Sequence, residues 1–208
     1  DPAGDLRGWK HMNAKRRVFE ELAADYDRWF DDHAEVYRAQ LQLLKRAVPS
    51  SGLGLEAGVG SGRFAAPLGI CCGIDPSFPL AKMAKSRGVE VVIGVGEHLP
   101  YRSGSFDHAV MMTVICFLDD IAGVLREVFR ILVPSGIIVL GFIERDGEIF
   151  RHYRAEPEKG RFLRYARFYT PDEIILKLHE AGFSGVEVNA REHGFCILTG
   201  KKKISPRS

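Results

Sequence analysis

The stretch GLEAGVGSGRFAAPLG, residues 54–69, decides the fold. A short apolar run ends in glycines at every second position, Gly58, Gly60 and Gly62, and a helix-like segment follows. Glycines after a strand let the main chain approach a ligand closely, and the first turn of a helix offers unpaired N–H groups. The stretch therefore predicts a ligand-binding turn between a strand and a helix of an α/β fold.

The flanking sequence alternates between apolar runs and amphipathic segments. Five runs predict strands: GLGLEAG (52–58), GICCGID (69–75), VEVVIG (89–94), FDHAVMMTVI (106–115) and GIIVLGFI (136–143). The segments between them predict helices: RFAAPLG (63–69), PLAKMAKSRG (79–88) and IAGVLREVFRIL (121–132). Continuous apolar strands joined by helices are typical of a parallel sheet covered on both faces, so we expect a doubly wound α/β fold.

Both ends of the chain extend this pattern. Helical spacing of apolar residues predicts helices over 13–30 and 34–48. Near the other end, Thr170, Pro171 and Glu173 form a capping-box pattern that begins a helix, which Gly182 ends. Two strands follow, GVEVNA (185–190) and GFCILTG (194–200), and the turn between them is so short that we expect antiparallel pairing.

Composition indicates one ordinary globular domain. The chain has 208 residues, 46% of them hydrophobic, and a formal net charge of +2, which is too small to indicate a nucleic-acid partner. Its four cysteines form no CxxC pair, so we expect reduced, buried thiols and no metal site. We find no apolar run of membrane-spanning length and no signal core, and expect a cytoplasmic location.

We expect a single domain over 13–203, with N-terminal helices over 13–48. Residues 1–12 fit no periodic pattern and end in His11-Met12, as a cloning remnant or disordered segment would.

The glycine turn matches neither common phosphate-binding motif. Position 63 of a G-x-G-x-x-G fingerprint that starts at Gly58 is Arg63, where a glycine or alanine is required, and no Gly-Lys-Ser/Thr ending is present. Instead, Glu56 stands two residues before Gly58, where a carboxylate suits a ligand with an ammonium group and a sulfonium centre. Asp75 follows Glu56 by 19 residues, at the end of the second strand, where an acidic residue suits ribose hydroxyls.

This pattern resembles motif I of the class I S-adenosylmethionine-dependent methyltransferases. Three further segments resemble the type 11 branch, which includes the ubiquinone and menaquinone C-methyltransferases: FEELAADYDRWF (19–30), GVGEHLPYRSGSFDHAVM (94–111) and LREVFRILVPSGIIVLG (125–141). The resemblance implies a Rossmann-like, seven-stranded sheet that is parallel except for its last strand. It also implies S-adenosylmethionine as cofactor and S-adenosylhomocysteine as product.

The resemblance assigns cofactor contacts residue by residue, and the sequence departs from the family at two positions. The expected contacts are Tyr26, Glu56, Gly58, Gly60, Gly62, Asp75, Pro76, Gly96, Glu97, Met112 and Thr113. Val95 replaces an aspartate that often receives the adenine amino group, so we expect backbone groups near Gly96 and Glu97 to contact adenine. Ser135 replaces a glycine before the fifth strand. Trp29 is expected in the core.

The segment 144–169, which we call the cap segment, is rich in arginine and aromatic residues. One interpretation is a cap that recognises an anionic or aromatic small-molecule acceptor, and another is a solvated amphipathic helix. Binding of single-stranded nucleic acid would also suit basic residues between aromatic ones, but the segment is short for it. The candidate acceptor contacts are Cys116, Arg151, Tyr153, Arg164 and Arg167. His98 and His152 are candidate bases, but we assign no catalytic residue, because in-line methyl transfer requires a base only when the nucleophile must lose a proton.

Three functions remain open on the sequence. The first is methyl transfer from S-adenosylmethionine to a small molecule. The second is a cofactor-binding regulatory module without turnover, suggested by Val95 and by the missing base. The third is a nicotinamide-dependent oxidoreductase, against which Arg63 already argues.

Overall fold

The computed structural model describes residues 15–155 and 160–203, so the expectation for residues 1–12 lies outside the described residues. Seven strands form one sheet in the order β3-β2-β1-β4-β5-β7-β6. Their bounds are β1 Gly54–Ala57, β2 Cys72–Asp75, β3 Glu90–Ile93, β4 Phe106–Met112, β5 Leu132–Ile143, β6 Phe183–Glu192 and β7 Phe195–Lys202. Strands β1 to β5 pair in parallel, and β7 runs antiparallel to both of its neighbours, β5 and β6. The predicted sheet is confirmed.

Helices cover both faces of this sheet. They are α1 (15–21), α2 Ala23–Asp32, α3 Ala34–Ala47, α4 Phe78–Ser86, α5 Ile121–Ile131, α6 Glu148–Ala155 and α7 Pro171–Glu180. One buried cluster packs α5 and α7 against the sheet, through residues such as Leu125 and Leu178. A second cluster packs α2, α3 and α4 on the other face, through residues such as Phe30 and Leu44. The core is therefore two apolar layers separated by the sheet.

The strand order reverses between β1 and β4, which lie side by side in the centre of the sheet. In open α/β sheets, such a reversal opens a crevice outside the carboxyl ends of the strands, where ligands bind. The fold thus places the glycine turn that follows β1 at this crevice.

One predicted helix is wrong. Residues 63–69 form turns and a short 3-10 helix, Ala66–Leu68, in place of an α-helix. Pro67 has no N–H group to donate, and Gly69 adopts φ +72°, which ends the helical turn. The turn after β1 is therefore followed by a three-residue 3-10 helix and not by an α-helix.

Local signals near the end of the chain have the predicted geometry. The Thr170 hydroxyl accepts a hydrogen bond from the Glu173 N–H, and the Glu173 carboxylate accepts one from the Thr170 N–H, which completes the capping box. The β6–β7 hairpin turns at His193 and Gly194, which both have positive φ. Ser135 has φ +66°, which explains why a glycine is favoured at this position.

Within residues 15–155 and 160–203, no helix is long and apolar enough to cross a membrane.

Candidate functional site

A cavity of about 460 Å³ opens at the carboxyl ends of β1, β2 and β4. This is a typical size for a small-molecule site. Of the predicted cofactor contacts, nine line it: Tyr26, Gly58, Gly60, Asp75, Pro76, Gly96, Glu97, Met112 and Thr113. The structure thus brings together residues from five segments that are far apart in the sequence. Glu56 and Gly62 are buried and do not belong to the described lining of the cavity.

The glycine turn depends on glycine at each alternate position. Gly58, Gly60 and Gly62 all have positive φ, between +53° and +80°. A Cβ at Gly58 would overlap Val114, and one at Gly62 would lie 3.0 Å from the Ala84 Cα of α4. At Gly60, a Cβ would project toward the Tyr26 ring, 3.4 Å from its Cε1 atom. Glycines here therefore allow close approach of the main chain to the lining of the cavity.

Glu56 is a buried carboxyl group with an unsatisfied acceptor. It is 1% exposed, and its Oε2 atom has no hydrogen-bond partner among the residues that the structure describes. Burial raises the pKa of Glu56 well above its usual value; a hydrogen bond from the Ala65 N–H opposes this rise, and the charge of Asp75 adds to it. An unsatisfied buried acceptor is costly, and a cationic donor beside it would favour the charged carboxylate.

Asp75 fixes the turn from the neighbouring strand. Its Oδ2 atom accepts a hydrogen bond from the Gly60 N–H at 2.8 Å, and its Oδ1 atom accepts one from the Ser77 N–H at 2.8 Å. Burial raises the pKa of Asp75 to about 6, although these two hydrogen bonds lower it. Each oxygen keeps acceptor capacity for a further donor from the cavity.

The loop after β3 carries Gly96 and Glu97 and is clamped from α5. The Glu127 carboxylate accepts a hydrogen bond from the Leu99 N–H at 2.9 Å, and Arg130 donates to the carbonyl oxygens of Leu99 and Tyr101. Glu127 and Arg130 also pair with each other at 2.7 Å. The E-x-x-R pattern of α5 therefore has a structural role in this protein: it fixes the loop on one side of the cavity.

The end of β4 turns sharply at the cavity. Thr113 has φ +57°, an unfavourable conformation for a β-branched residue, and its N–H donates to the Gly141 carbonyl oxygen at 2.7 Å. Cys116 follows on a 3-10 helix, where its thiol donates to the Thr113 carbonyl oxygen at 3.2 Å. Strained backbone of this kind is concentrated at functional sites.

Helix α2 covers the glycine turn through Tyr26 and an ion-pair network. Asp27 pairs with Arg63 at 2.9 Å and with Arg87 at 2.9 Å, and Arg63 also pairs with Asp31 at 2.7 Å. Partial burial opposes ionisation of Asp27, but hydrogen bonds from Arg63 and Arg87 hold its pKa well below the usual range. Tyr26 is partly buried, and burial together with the nearby carboxylates raises its pKa, so its hydroxyl remains protonated.

The other side of the cavity is aromatic. Phe19, Tyr26, Phe117 and Phe162 come from α1, α2, the 3-10 helix after β4 and the cap segment, and we call them the aromatic chamber. The Phe19 ring centre lies 5.6, 5.2 and 5.1 Å from those of Tyr26, Phe117 and Phe162. Ile149 and Leu163 add further apolar lining from the cap segment.

The structure does not bring the five predicted acceptor contacts to the cavity. Arg151, Arg164 and Arg167 are exposed, and Arg164 packs over the Tyr165 ring. Tyr153 packs near Phe168 within the cap segment. Cys116 is fully buried behind the Thr113 turn. The cap segment reaches the cavity through apolar side chains.

Further expectations are also corrected. Trp29 is 38% exposed, stacks on His33 and lines the edge of the cavity, so it is no core residue. Cys71 directly precedes the start of β2, and its sulfur lies 3.8 Å from that of Cys72. Cys71 is exposed, contrary to the expectation of burial.

The candidate bases lie away from the cavity. His98 and His152 are both exposed, and neither belongs to the described lining.

Sequence reasoning missed three sets of residues around the cavity. Phe19 could have been found, because it precedes Tyr26 by seven residues and therefore lies on the same helical face. The partners of Arg63 could not, since Asp27 and Arg87 meet it only through the tertiary fold. Phe117 and Phe162 lie in 3-10 or irregular segments, where no periodic pattern indicates direction.

The described residues fit S-adenosylmethionine, the cofactor that the resemblance implies. The unsatisfied Glu56 Oε2 atom suits its amino group, and the absent side chain at Gly60 leaves room for its methionine part. Asp75 lines the cavity with acceptor capacity for ribose hydroxyls.

Comparisons with known proteins identify the family. The family model described as a methyltransferase domain matches residues 55–140. An uncharacterised protein of Methanocaldococcus jannaschii is 38% identical over 82% of each chain. Malonyl-[acyl-carrier protein] O-methyltransferase of Geobacter sulfurreducens is 32% identical over 83% of this chain and 71% of its own length.

A solved structure of a similar protein has the same fold. It is described as an S-adenosylmethionine-dependent methyltransferase, possible histamine N-methyltransferase, from Thermotoga maritima. The two chains are 36% identical with a TM-score of 0.84, and the match covers 90% of this chain and 99% of the other. This protein belongs to the S-adenosylmethionine-dependent methyltransferases, and S-adenosylmethionine is its cofactor.

Proposed function

We propose that this protein transfers a methyl group from S-adenosylmethionine to a small-molecule acceptor, by in-line displacement. The observation that carries the proposal is one cavity with two unlike sides: strand ends with the cofactor motifs on one, and an apolar aromatic chamber on the other. A cavity of about 460 Å³ that α2 and the cap segment help to line suits a small acceptor better than a nucleic acid or a protein surface.

The chain's own residues have distinct proposed roles on the cofactor side. Glu56 accepts from the amino group, and Gly58 and Gly60 allow close approach of the backbone. Asp75 accepts from the ribose hydroxyls, with Pro76 beside it. Backbone groups at Gly96 and Glu97 contact adenine, and Met112 and Thr113 contact the methionine part. When bound, S-adenosylmethionine supplies an electrophilic methyl group on a sulfonium.

The remaining task of the protein is to orient the acceptor and exclude water. Tyr26, held over Gly60 by the Asp27–Arg63 ion pair, and the aromatic chamber remove solvent from the reacting groups. Two of the similar proteins have names that state different methylated atoms: oxygen for the malonyl-[acyl-carrier protein] O-methyltransferase, and nitrogen for the possible histamine N-methyltransferase. Family membership therefore leaves the acceptor to be argued from the chamber itself.

Calorimetric titration with S-adenosylmethionine, S-adenosylhomocysteine and NADH tests the proposal. We expect micromolar binding of the first two and none of NADH. Absence of binding by both sulfur compounds would overturn the proposal. Release of S-adenosylhomocysteine in the presence of an acceptor then distinguishes an enzyme from a module that only binds the cofactor.

A further inference from the structure

The aromatic chamber is a continuous set of rings rather than scattered apolar residues. Phe19 stacks on Phe162 with ring planes inclined by 26°, while Tyr26 and Phe117 meet Phe19 nearly edge to face. Tyr26 also contacts Phe162, with 5.5 Å between ring centres. Three parts of the chain that are distant in the sequence converge here, the N-terminal helices with Phe19 and Tyr26, the 3-10 helix with Phe117, and the cap segment with Phe162, and all four rings line the cavity. Aromatic faces carry negative electrostatic potential, so such a chamber favours a cation over an anion.

The basic groups near the chamber are already paired. Among the described residues, the lysine and arginine side chains that line the cavity are Lys15 and Arg16. The Lys15 ammonium donates to the Asp119 carboxylate at 2.7 Å and to the Phe117 carbonyl oxygen at 3.1 Å. Arg16 pairs with Glu20 at 2.8 Å. An anionic acceptor would therefore have to be desolvated without gaining an unpaired positive partner from this lining.

The described lining also holds no acidic group placed to take a proton from an acceptor in the chamber. Its carboxylates are Asp75 and Glu97, which belong to the cofactor side, and Asp119, which pairs with Lys15. The described part of the lining contains no histidine. A nucleophile that must lose its proton during the attack thus lacks a base here, whereas a neutral amine already has a lone pair.

We propose that the acceptor is a small aryl- or alkylamine, whose nitrogen is methylated inside the aromatic chamber. This inference rests on the proposed function. The amine releases its ammonium proton to water before it reacts. Its nitrogen lone pair then forms the new N–C bond, while the S–C bond breaks and its electron pair remains on sulfur. The positive charge moves from sulfur to nitrogen, and a secondary or tertiary ammonium product later loses a proton to water.

The chamber suits this reaction because the number of charges inside it does not change. One positive charge is present before the transfer and one after it, so no ion pair has to form or be neutralised in a water-poor site. The rings of Phe19, Phe117 and Phe162 stabilise a cation at either position. A carboxylate acceptor would instead bring an anion against these rings.

Three ligands that share one ring and differ in the reacting group provide the test: 2-phenylethylamine, 2-phenylethanol and phenylacetate. Each is titrated calorimetrically into the protein loaded with S-adenosylhomocysteine and is then assayed for methylation with S-adenosylmethionine. We expect the amine to bind about tenfold more tightly than the alcohol, phenylacetate to bind least, and N-methylation of the amine alone.

Ring-removing variants separate charge recognition from simple apolar contact. Phe162→Leu and Phe117→Leu keep apolar bulk but remove the aromatic face. Each is expected to weaken amine binding about fivefold to tenfold and to change alcohol binding by less than about twofold. Phe168→Leu is the matched control on the cap segment, because Phe168 packs on Phe150 and does not line the cavity. Circular dichroism and thermal unfolding check that each variant folds.

The outcomes distinguish this inference from the proposed function. If S-adenosylhomocysteine binds but the amine has no advantage over the alcohol, or none of the three ligands binds, the amine inference is overturned and the methyltransferase proposal stands. Methylation of phenylacetate in preference to the amine has the same meaning. If S-adenosylhomocysteine itself does not bind, the proposed function fails first.

Discussion

The two sides of the cavity are built in different ways. The cofactor side is made of consecutive strand ends, and its shape is fixed by backbone conformation at Gly58, Gly60 and Thr113. The acceptor side is made of side chains that reach inward from α1, α2, the 3-10 helix after β4 and the cap segment. A backbone-built surface serves one invariant ligand, whereas a side-chain-built surface changes with a few substitutions.

The charges follow the same division. Buried carboxyl groups, Glu56 and Asp75, lie on the cofactor side. On the acceptor side, the Asp119 carboxylate pairs with Lys15 at 2.7 Å and lies 3.9 Å from the Arg167 guanidinium. The cofactor side therefore requires a cationic, donor-rich ligand, while the acceptor side selects by shape and by cation–π contact, without an unpaired charged side chain in its described lining.

The strongest test of the backbone-built side is Gly60→Val. A β-branched residue is strained at φ +53°, and its side chain would project toward Tyr26 into the cavity. We expect affinity for S-adenosylhomocysteine to fall about 100-fold or more, measured by calorimetry. Gly69→Val is the control, because Gly69 has φ +72° but a Cβ added there would meet no atom within 4 Å. Equal losses in both variants would mean that strain alone, and not the cavity, is responsible.

Asp75→Asn tests the charge of the cofactor side. The amide keeps the shape but cannot accept both the Gly60 and Ser77 hydrogen bonds as well as those of a ribose. At pH 8 we expect affinity for S-adenosylhomocysteine to fall about 30-fold.

The difference in affinity for S-adenosylhomocysteine between the wild type and Asp75→Asn is expected to shrink as the pH falls. Burial raises the pKa of Asp75 to about 6, so below pH 6 the wild-type side chain becomes neutral in the free protein. Protons then compete with the ligand, and wild-type affinity falls toward that of Asp75→Asn as the pH drops from 7 to 5. A ratio between the two proteins that stays constant over this range would remove the carboxylate from the binding argument.

Arg63→Met tests the connection between the two sides. Arg63 joins the glycine turn to Asp27 and Asp31 of α2, the helix that carries Tyr26. Its loss leaves Asp27 with Arg87 alone, and we expect about 1–2 kcal/mol less stability and about fivefold weaker binding of S-adenosylhomocysteine. Arg28→Met, which removes an exposed pair with Asp25 on the same helix, is expected to change neither by a measurable amount. Thermal unfolding measures the stability of the two variants, and calorimetry measures their affinity for S-adenosylhomocysteine.

The contrast between the two sides also explains what could be predicted from the sequence. The alternation of strands and helices, the glycine turn and the position of Asp75 at the end of β2 follow from local patterns, because backbone geometry depends on residue type at fixed spacing. The capping box at Thr170 is equally local, and its predicted hydrogen bonds are present. The short 3-10 helix after Gly62 is also a local effect of Pro67 and Gly69. The apolar residues of 63–69 nevertheless have helical spacing, and for this reason the sequence predicted an α-helix there.

The acceptor side could not be predicted in this way. Arginines and aromatic residues alternate closely in the cap segment, and composition alone does not say which of them point inward. The fold turns Phe162 and Leu163 toward the cavity and leaves Arg151 and Arg164 exposed. Burial of apolar rings outweighs the arginine contacts, since a guanidinium group loses more on leaving water than it regains from paired carboxylates.

We expect the smallest effects on acceptor methylation from two arginines that the sequence predicted as acceptor contacts. Arg151→Ala and Arg164→Ala remove exposed guanidinium groups that do not line the cavity. We expect the KM of the acceptor and the rate of methyl transfer to change by less than about twofold in each variant, within the usual range for surface charges. Phe162→Leu, two residues before Arg164, is the internal positive control in the same steady-state assay. A KM that rises about tenfold in either arginine variant would show that the cap segment closes differently over an acceptor and that an arginine ion pair recognises it, in which case the side-chain-built half of the cavity selects an anion instead of an amine.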